Sequence, residues 1–263
     1  MQRVRSDDFV GRESVVRRIW GDADTVLLVF AGAAAEFALN RAVDWLFFTG
    51  AIPADPIGRL FRTAAYAQDI VFARRATAEN ALGRIRTAHA AVEQSRRARI
   101  PEWAHRDVLY LLIDYSERAY TLLHVPLTDA ERDDLYDVFR RVGEGLAIPE
   151  LPASYADWRR DREQHMRRDL AYSEHTAALY ARYRAQLGPW RYHLLRQLQV
   201  LLVPAFVGDL LGLPKARLAR PGIAAYRALR ELRLGPVARL ALVPSAYLGR
   251  VRALDSRDRR PAA

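Results

Sequence analysis

Residues 55–92 read DPIGRLFRTAAYAQDIVFARRATAENALGRIRTAHAAV, and the two helices predicted within this stretch decide the fold. Asp55 followed by Pro56 is a favoured helix start, because Asp caps free N–H groups and proline has no N–H to leave unsatisfied at the first position. The pattern predicts that this helix ends near residues 73–76. A second helix is then expected to begin at Thr77, which has Asn80 three residues later.

The two predicted helices carry side chains typical of a redox cofactor site. Arg59, Arg62 and Thr63 share one face of the first helix, and the second has an apolar stripe that contains His89. If the helices form an antiparallel hairpin with its turn near residues 75–76, Arg62 and His89 face each other across a gap. Imidazole ligates haem iron, and a cation opposite it polarises a bound oxygen species. A hydrogen-bonded core histidine is the more frequent use of such a residue.

The order of these motifs resembles the catalytic domain shared by the MpaB-type oxygenases and the latex-clearing rubber oxygenases. The resemblance rests on Asp-Pro, Arg-x-x-Arg-Thr, an apolar helix and then Arg-x-x-His-x-x-Val. It continues through DVLYLLIDYSERAYTLL, VPLTDAERDDLYDVFRRVGEGLAIPELP and LGPWRY, and so spans residues 12–214. It implies an all-helical fold that encloses a b-type haem held by a single axial histidine.

Position by position, the resemblance implies a role for four residues. His89 would be the axial iron ligand, Arg59 and Thr63 would bind the cofactor, and Arg62 would be the catalytic cation of the distal pocket. The rubber enzymes have lysine where this chain has Arg62. Arginine stays charged and does not ligate iron, which puts a closed, lysine-capped resting state in doubt.

The activity implied by the resemblance is an oxygen-dependent oxidation or oxidative cleavage of an apolar substrate that is isoprenoid- or lipid-like. The expected partners are therefore this small organic substrate and dioxygen. Dehydrogenation and peroxidase-like chemistry remain alternatives, because the haem supplies the reactivity and the shape of the pocket selects the outcome. The sequence leaves the oligomeric state open.

Length and composition favour one all-α domain without disulfides. The chain has 263 residues, is about half apolar and lacks a long Gly, Ser or Pro linker or a convincing β pattern. Residues 12–214 form the predicted catalytic domain, and residues 215–263 form a basic amphipathic extension. The absence of cysteine excludes iron–sulfur clusters and thiolate-ligated haem, so histidine is the expected iron ligand.

The net charge of +10 rests almost wholly on arginine. Arginine and acidic residues mostly interleave, as in QHMRRDLAYSEH, which favours a solvated face over a nucleic-acid partner. The alternative function is a cofactor-free basic helical protein that binds nucleic acid or an anionic membrane. The extension is expected to cover the core, with peripheral membrane contact as its alternative. A polar N-terminus without a signal-peptide core predicts a cytoplasmic protein.

The sequence contains partial patterns for two other metal sites. A di-iron carboxylate bundle needs two Glu-x-x-His motifs, and only Glu102-Trp-Ala-His105 fits, so this class is rejected. His165 has Asp161 and Asp169 four residues to either side, but on so charged a helix the solvated interpretation is favoured.

Two further patterns are less specific. Asp114 and Arg118, at i and i+4, indicate an ion pair on a helix surface, and no role is assigned to them or to Asp107. Residues 25–39 are apolar nearly all round and include Gly32. Such a helix fits either the middle of a bundle or the flat face of a cofactor.

Overall fold

A computed structural model describes residues 7–48, 54–213, 219–232, 235 and 242–257. Within these ranges the backbone is mostly α-helical, and its only β pairing is two isolated bridges, Asp8 with Arg74 and Asn40 with Leu170. The predicted all-α, single-domain bundle is therefore confirmed. No helix in this part of the chain combines the length and apolarity that crossing a bilayer requires.

The α-helices are numbered here in chain order. They are α1 (Val15–Gly21), α2 (Ala23–Phe37), α3 (Asp44–Phe48), α4 (Pro56–Val71), α5 (Arg75–Arg96), α6 (Glu102–Leu123), α7 (Asp129–Gly145), α8 (Tyr155–Asp169), α9 (Glu174–Leu202), α10 (Ala205–Leu210), α11 (Ala219–Glu231) and α12 (Ser245–Arg257).

The start of α4 is as predicted. Asp55 is its N-cap and accepts a hydrogen bond from the Gly58 N–H at 2.8 Å, with Pro56 at the first helical position. The cap satisfies one of the free N–H groups at the start of the helix. Sequence-local chemistry was therefore sufficient to place this helix.

The turn between α4 and α5 was predicted two or three residues too late. It comprises residues 72–74, and α5 begins at Arg75 rather than Thr77. The N-terminal segment explains the difference, because Phe9 N–H donates to the Ala73 carbonyl at 3.0 Å and Arg75 N–H donates to the Asp7 carbonyl at 2.7 Å. These backbone hydrogen bonds fix the position of the turn, and local sequence patterns do not predict them because they join residues distant in the chain.

At the centre of the bundle, α2 packs along α6 more extensively than any other described pair of helices. Gly32 of α2 lies directly against the ring of Tyr115, and a Cβ at this glycine would overlap that ring. The small residues of α2 therefore allow a close approach of two helices. Of the two uses left open by the sequence, the structure shows the middle of the bundle.

The described parts of the C-terminal extension lie on the core. Val251 and Leu254 of α12 are buried in the main hydrophobic cluster, and the buried Gln68 side chain donates to the Leu254 carbonyl at 3.1 Å. In α11, Arg230 forms ion pairs with Asp22 at 2.8 Å and Asp24 at 3.0 Å. The predicted boundary between residues 214 and 215 lies outside the described residues and stays a prediction.

Candidate functional site

His89 lies on α5, where it is half-buried against α6. Its imidazole packs against that of His105 in a tilted arrangement, with ring centroids 4.8 Å apart and ring planes 34° from parallel. Neither ring nitrogen of His89 has a hydrogen-bond partner among the described residues. The ring is therefore held by packing, and its nitrogens are uncommitted.

Electrostatics keep this imidazole neutral. Burial lowers the pKa of His89 to about 4, and the neighbouring His105 and Arg59 act in the same direction against the opposing charge of Glu93. Burial also lowers the pKa of His105. Because neutral imidazole is the form that ligates a metal, His89 is ready to act as a ligand at neutral pH without first losing a proton.

Arg59 is the arginine whose charge acts on His89. It is partly buried on α4, and its own pKa is lowered by burial and by the charge of Arg62. Thr63, one turn later, donates its hydroxyl to the Arg59 carbonyl at 3.1 Å. Arg59 and His89 therefore belong to one electrostatic cluster, and Thr63 lies next to it in an intrahelical hydrogen bond.

Arg62 lies on the outer side of α4. Half of its side chain is exposed, and its guanidinium forms an ion pair with Asp55 at 3.8 Å. No contact joins Arg62 to His89 within the described residues. The turn comprises residues 72–74 rather than the predicted 75–76. The position on α4 that lies opposite His89 is therefore closer to Arg59 than to Arg62.

A buried ion network on α2, α6 and α8 was missed by the sequence analysis. Arg162 donates to both carboxylate oxygens of Glu36, at 2.8 and 2.6 Å, and to Asp114 at 2.9 Å. The Tyr115 hydroxyl also donates to Glu36, at 3.0 Å. Arg118 does pair with Asp114, at 2.9 Å, but Asp114 is buried, so the predicted surface ion pair is wrong in its location. The feature of the sequence that could have indicated this network is Glu36, an acidic residue in a mostly apolar, Ala-rich helix.

A second buried network surrounds His165, which corrects the prediction of a solvated face. Nδ1 of His165 lies 2.5 Å from Asp107 and 3.4 Å from Asp169, and all three side chains are buried. The three groups are close enough to hold a metal ion. However, Arg168 already pairs with Asp169 at 2.6 Å and Asn40 donates to Asp107 at 2.8 Å. The arrangement is a satisfied ion network.

The residues around His89 fit a haem in their donor chemistry. An iron ligand must offer a neutral nitrogen without another bond, which His89 does. Haem propionates need cations nearby, and Arg59 and Arg62 lie one turn apart on the adjacent helix. The hairpin therefore carries a neutral imidazole on one helix and two guanidinium groups on the other.

The chain matches a family model over residues 17–233, and its description is ER-bound oxygenase mpaB/B'/rubber oxygenase, catalytic domain. The matched range contains both arms of the α4–α5 hairpin and most of the bundle. The protein thus belongs to the family of MpaB and rubber oxygenase catalytic domains, as the motifs of residues 55–92 predicted. No curated protein and no solved structure gave a significant match to the chain.

Proposed function

We propose that this protein is a haem b-dependent oxidoreductase that oxidises or oxidatively cleaves an apolar, isoprenoid- or lipid-like substrate with dioxygen. Membership of an oxygenase family supports the reaction class. The observation that carries the cofactor assignment is the imidazole of His89, which is neutral, uncommitted and adjacent to Arg59. A core histidine serving only the fold would be expected to have a hydrogen-bond partner, and His89 has none among the described residues.

In this proposal His89 would ligate the haem iron, and Arg59 and Thr63 would bind the cofactor. Haem, when bound, supplies iron redox chemistry toward dioxygen. Burial lowers the pKa of His89, and the neighbouring His105 and Arg59 add to this effect, so ligation would not compete with protonation near neutral pH.

Arg62 is proposed as the catalytic cation. Its guanidinium is permanently charged and would attract the negative charge that develops on oxygen atoms during the oxidation. The pair with Asp55 is long and exposed, so it restrains Arg62 weakly. The Arg62 side chain can therefore turn from Asp55 toward the inside of the hairpin at little cost in free energy.

The test is a haem titration of the purified full-length chain, followed by the Soret absorption band. The wild type should take up one haem per chain. His89→Ala should abolish or strongly weaken the band while the helical circular dichroism stays unchanged. His193→Ala is the matched control, because His193 is an exposed histidine on α9 and is not part of the hairpin.

Two results would overturn the proposal. One is a Soret band of undiminished intensity and affinity in His89→Ala. The other is a correctly folded wild type that takes up no haem. If the folded wild-type protein takes up no haem but retards DNA in a gel or sediments with anionic vesicles, the cofactor-free alternative would be favoured.

A further inference from the structure

A groove lies at the bend of α9, on elements that the haem proposal does not use. One cavity of about 730 Å³ is lined there by residues of α9, by Tyr172 just before this helix and by Leu211. A second cavity, of about 520 Å³, shares Arg184, Pro189, Tyr192 and Arg196 with the first, so the two are continuous. Both volumes fall in the range of roughly 300–1,000 Å³ that small-molecule sites occupy.

The bend has a definite cause in the sequence. Gly188 adopts a left-handed conformation with φ of +74°, and Pro189 follows it, so the regular hydrogen bonding of α9 is interrupted. Tyr180 and Arg184 come from the half before the bend, whereas Tyr192 and Arg196 come from the half after it. The interruption therefore brings two equivalent pairs, each with one tyrosine and one arginine, to the same groove.

The tyrosine rings provide an apolar wall. Tyr180 is almost fully buried, its hydroxyl donates to the Gln199 side chain at 2.9 Å, and its ring meets that of Tyr192 edge to face. Because the Tyr180 hydroxyl already has a hydrogen-bond partner, the small part of this side chain that borders the groove acts as apolar surface. Ala177, Ala181 and Leu211 extend this wall. The wall suits a hydrocarbon chain or ring rather than a polar ligand.

The two arginines make the groove cationic. The Arg196 guanidinium donates to the Gly212 carbonyl at 3.2 Å and lies over the Tyr180 ring, which fixes its position. Arg184 has no ion-pair or hydrogen-bond partner among the described residues. None of the described residues that line either cavity is acidic. Neither arginine thus has an acidic partner among the described residues, although Arg184 is exposed, and the groove has a net positive charge.

We infer that the groove binds an anionic amphiphile, whose carboxylate or phosphate monoester lies between Arg184 and Arg196 and whose hydrocarbon chain lies against Tyr180 and Tyr192. Planar guanidinium groups match both acids with paired N–H donors. The site is separate from the α4–α5 hairpin, since none of Arg59, Arg62, Thr63 and His89 lines it. The inference does not rest on the haem proposal.

Isothermal titration calorimetry of the full-length chain tests this inference with four probes: sodium decanoate, decyl phosphate, decanol and inorganic phosphate. At least one of the two anionic amphiphiles should bind saturably at a single site, and the better one identifies the acid. Decanol and inorganic phosphate should each bind at least about tenfold more weakly, because each lacks one half of the recognised structure.

Matched variants on α9 locate the site. Arg184→Gln should weaken binding of the better amphiphile by about tenfold, since it removes a charge-assisted hydrogen bond. Arg184→Lys keeps the charge and should retain most of the affinity. Arg182→Gln is the control, because Arg182 is exposed on the same helix and lines neither cavity. Thermal melting should be unchanged in all three.

Three results would overturn the inference. Neither anion might show saturable binding, decanol might bind as tightly as decanoate, or Arg182→Gln might weaken binding as much as Arg184→Gln. Absence of saturable binding would mean that the site does not exist. Equal binding of decanol would mean that the groove is an apolar surface that does not recognise the acid. An equal effect of Arg182→Gln would mean that binding depends only on the net charge of the chain. Haem uptake by the same preparation is unaffected in each case, so this inference and the haem proposal fail separately.

Discussion

The imidazole rings of His89 and His105 pack with their centroids 4.8 Å apart and their planes tilted by 34°, joining α5 to α6 through two titratable side chains. Both rings have a lowered pKa, so they pack as neutral groups. Protonation of either ring would place a charge against its neighbour, and protonation of His89 would also place a charge near Arg59. The contact therefore makes this end of the hairpin sensitive to acid.

The first prediction concerns the titration of His89. Its imidazole should titrate near pH 4 in the folded protein, followed by the NMR shift of the ring Cε1–H. Arg59→Gln removes one of the charges that disfavour imidazolium, so this variant should raise the His89 pKa. The spectrum of His89→Gln assigns the signal. A wild-type value at or above the ordinary value of about 6.5 would contradict the described environment.

The second prediction is a pH dependence of folding stability. Between pH 6.5 and about 4 the unfolded chain binds a proton at residue 89, whereas the folded chain does not. Stability from the neutral ring is thus complete above the unfolded pKa and is lost as the pH falls toward the folded pKa. We expect a loss of about 2 kcal/mol after allowing for partial exposure.

Urea denaturation at several pH values across this window measures that loss. As the pH falls, the free energy of unfolding of the His89→Gln variant should decrease less steeply than that of the wild type. An identical slope for the two proteins would show that the acid sensitivity lies elsewhere.

The third prediction concerns the buried ion network. Arg162→Met leaves the buried carboxylate of Glu36 without its cation and that of Asp114 with Arg118 alone, and we expect a loss of about 3–5 kcal/mol of stability. Arg160→Met is the control, because Arg160 pairs with Asp157 on the exposed side of the same helix. That change should cost less than about 1 kcal/mol. Chemical denaturation of both variants decides the matter, and equal losses would contradict the network.

The fourth prediction tests the close contact of α2 with α6. Gly32→Ala forces a methyl group into the Tyr115 ring and should destabilise the fold by about 1–3 kcal/mol. Gly83→Ala in α5 meets open space and should stabilise by about 0.5–1 kcal/mol through helix propensity. Thermal denaturation compares the two, and a neutral Gly32→Ala would show that α2 and α6 can separate without cost.

The fifth prediction concerns the cap of the hairpin. The Asp55 carboxylate accepts hydrogen bonds from Gly58 N–H at 2.8 Å, from Gln186 at 3.1 Å and from the Tyr247 hydroxyl at 3.2 Å. Asp55→Ala should cost about 1–2 kcal/mol, whereas Asp55→Asn keeps the capping oxygen and should cost less. Urea denaturation distinguishes them, and equal losses would mean that the charge of Asp55 matters more than its cap.

Only part of the candidate site was accessible from the sequence. The motif placed Arg59, Arg62 and His89 on the two arms of one hairpin, and the structure has that hairpin. It did not decide which arginine acts on His89, because a shift of two or three residues in the turn changes the level at which the helices meet. The spacing of His105, the ring that packs on His89, does not connect it with His89, because their contact joins two different helices.

The amino-acid sequence by itself determined the all-α class, the start of α4 with Asp55 as its N-cap, and the family. These features follow from local chemistry, namely capping, backbone restriction and helical periodicity, together with the residues that form the motif. Tertiary structure alone decided that Asp114 and His165 are buried and that Arg59, rather than Arg62, acts on His89. Burial and electrostatic proximity depend on which helices pack together, and residues distant in the sequence set that packing.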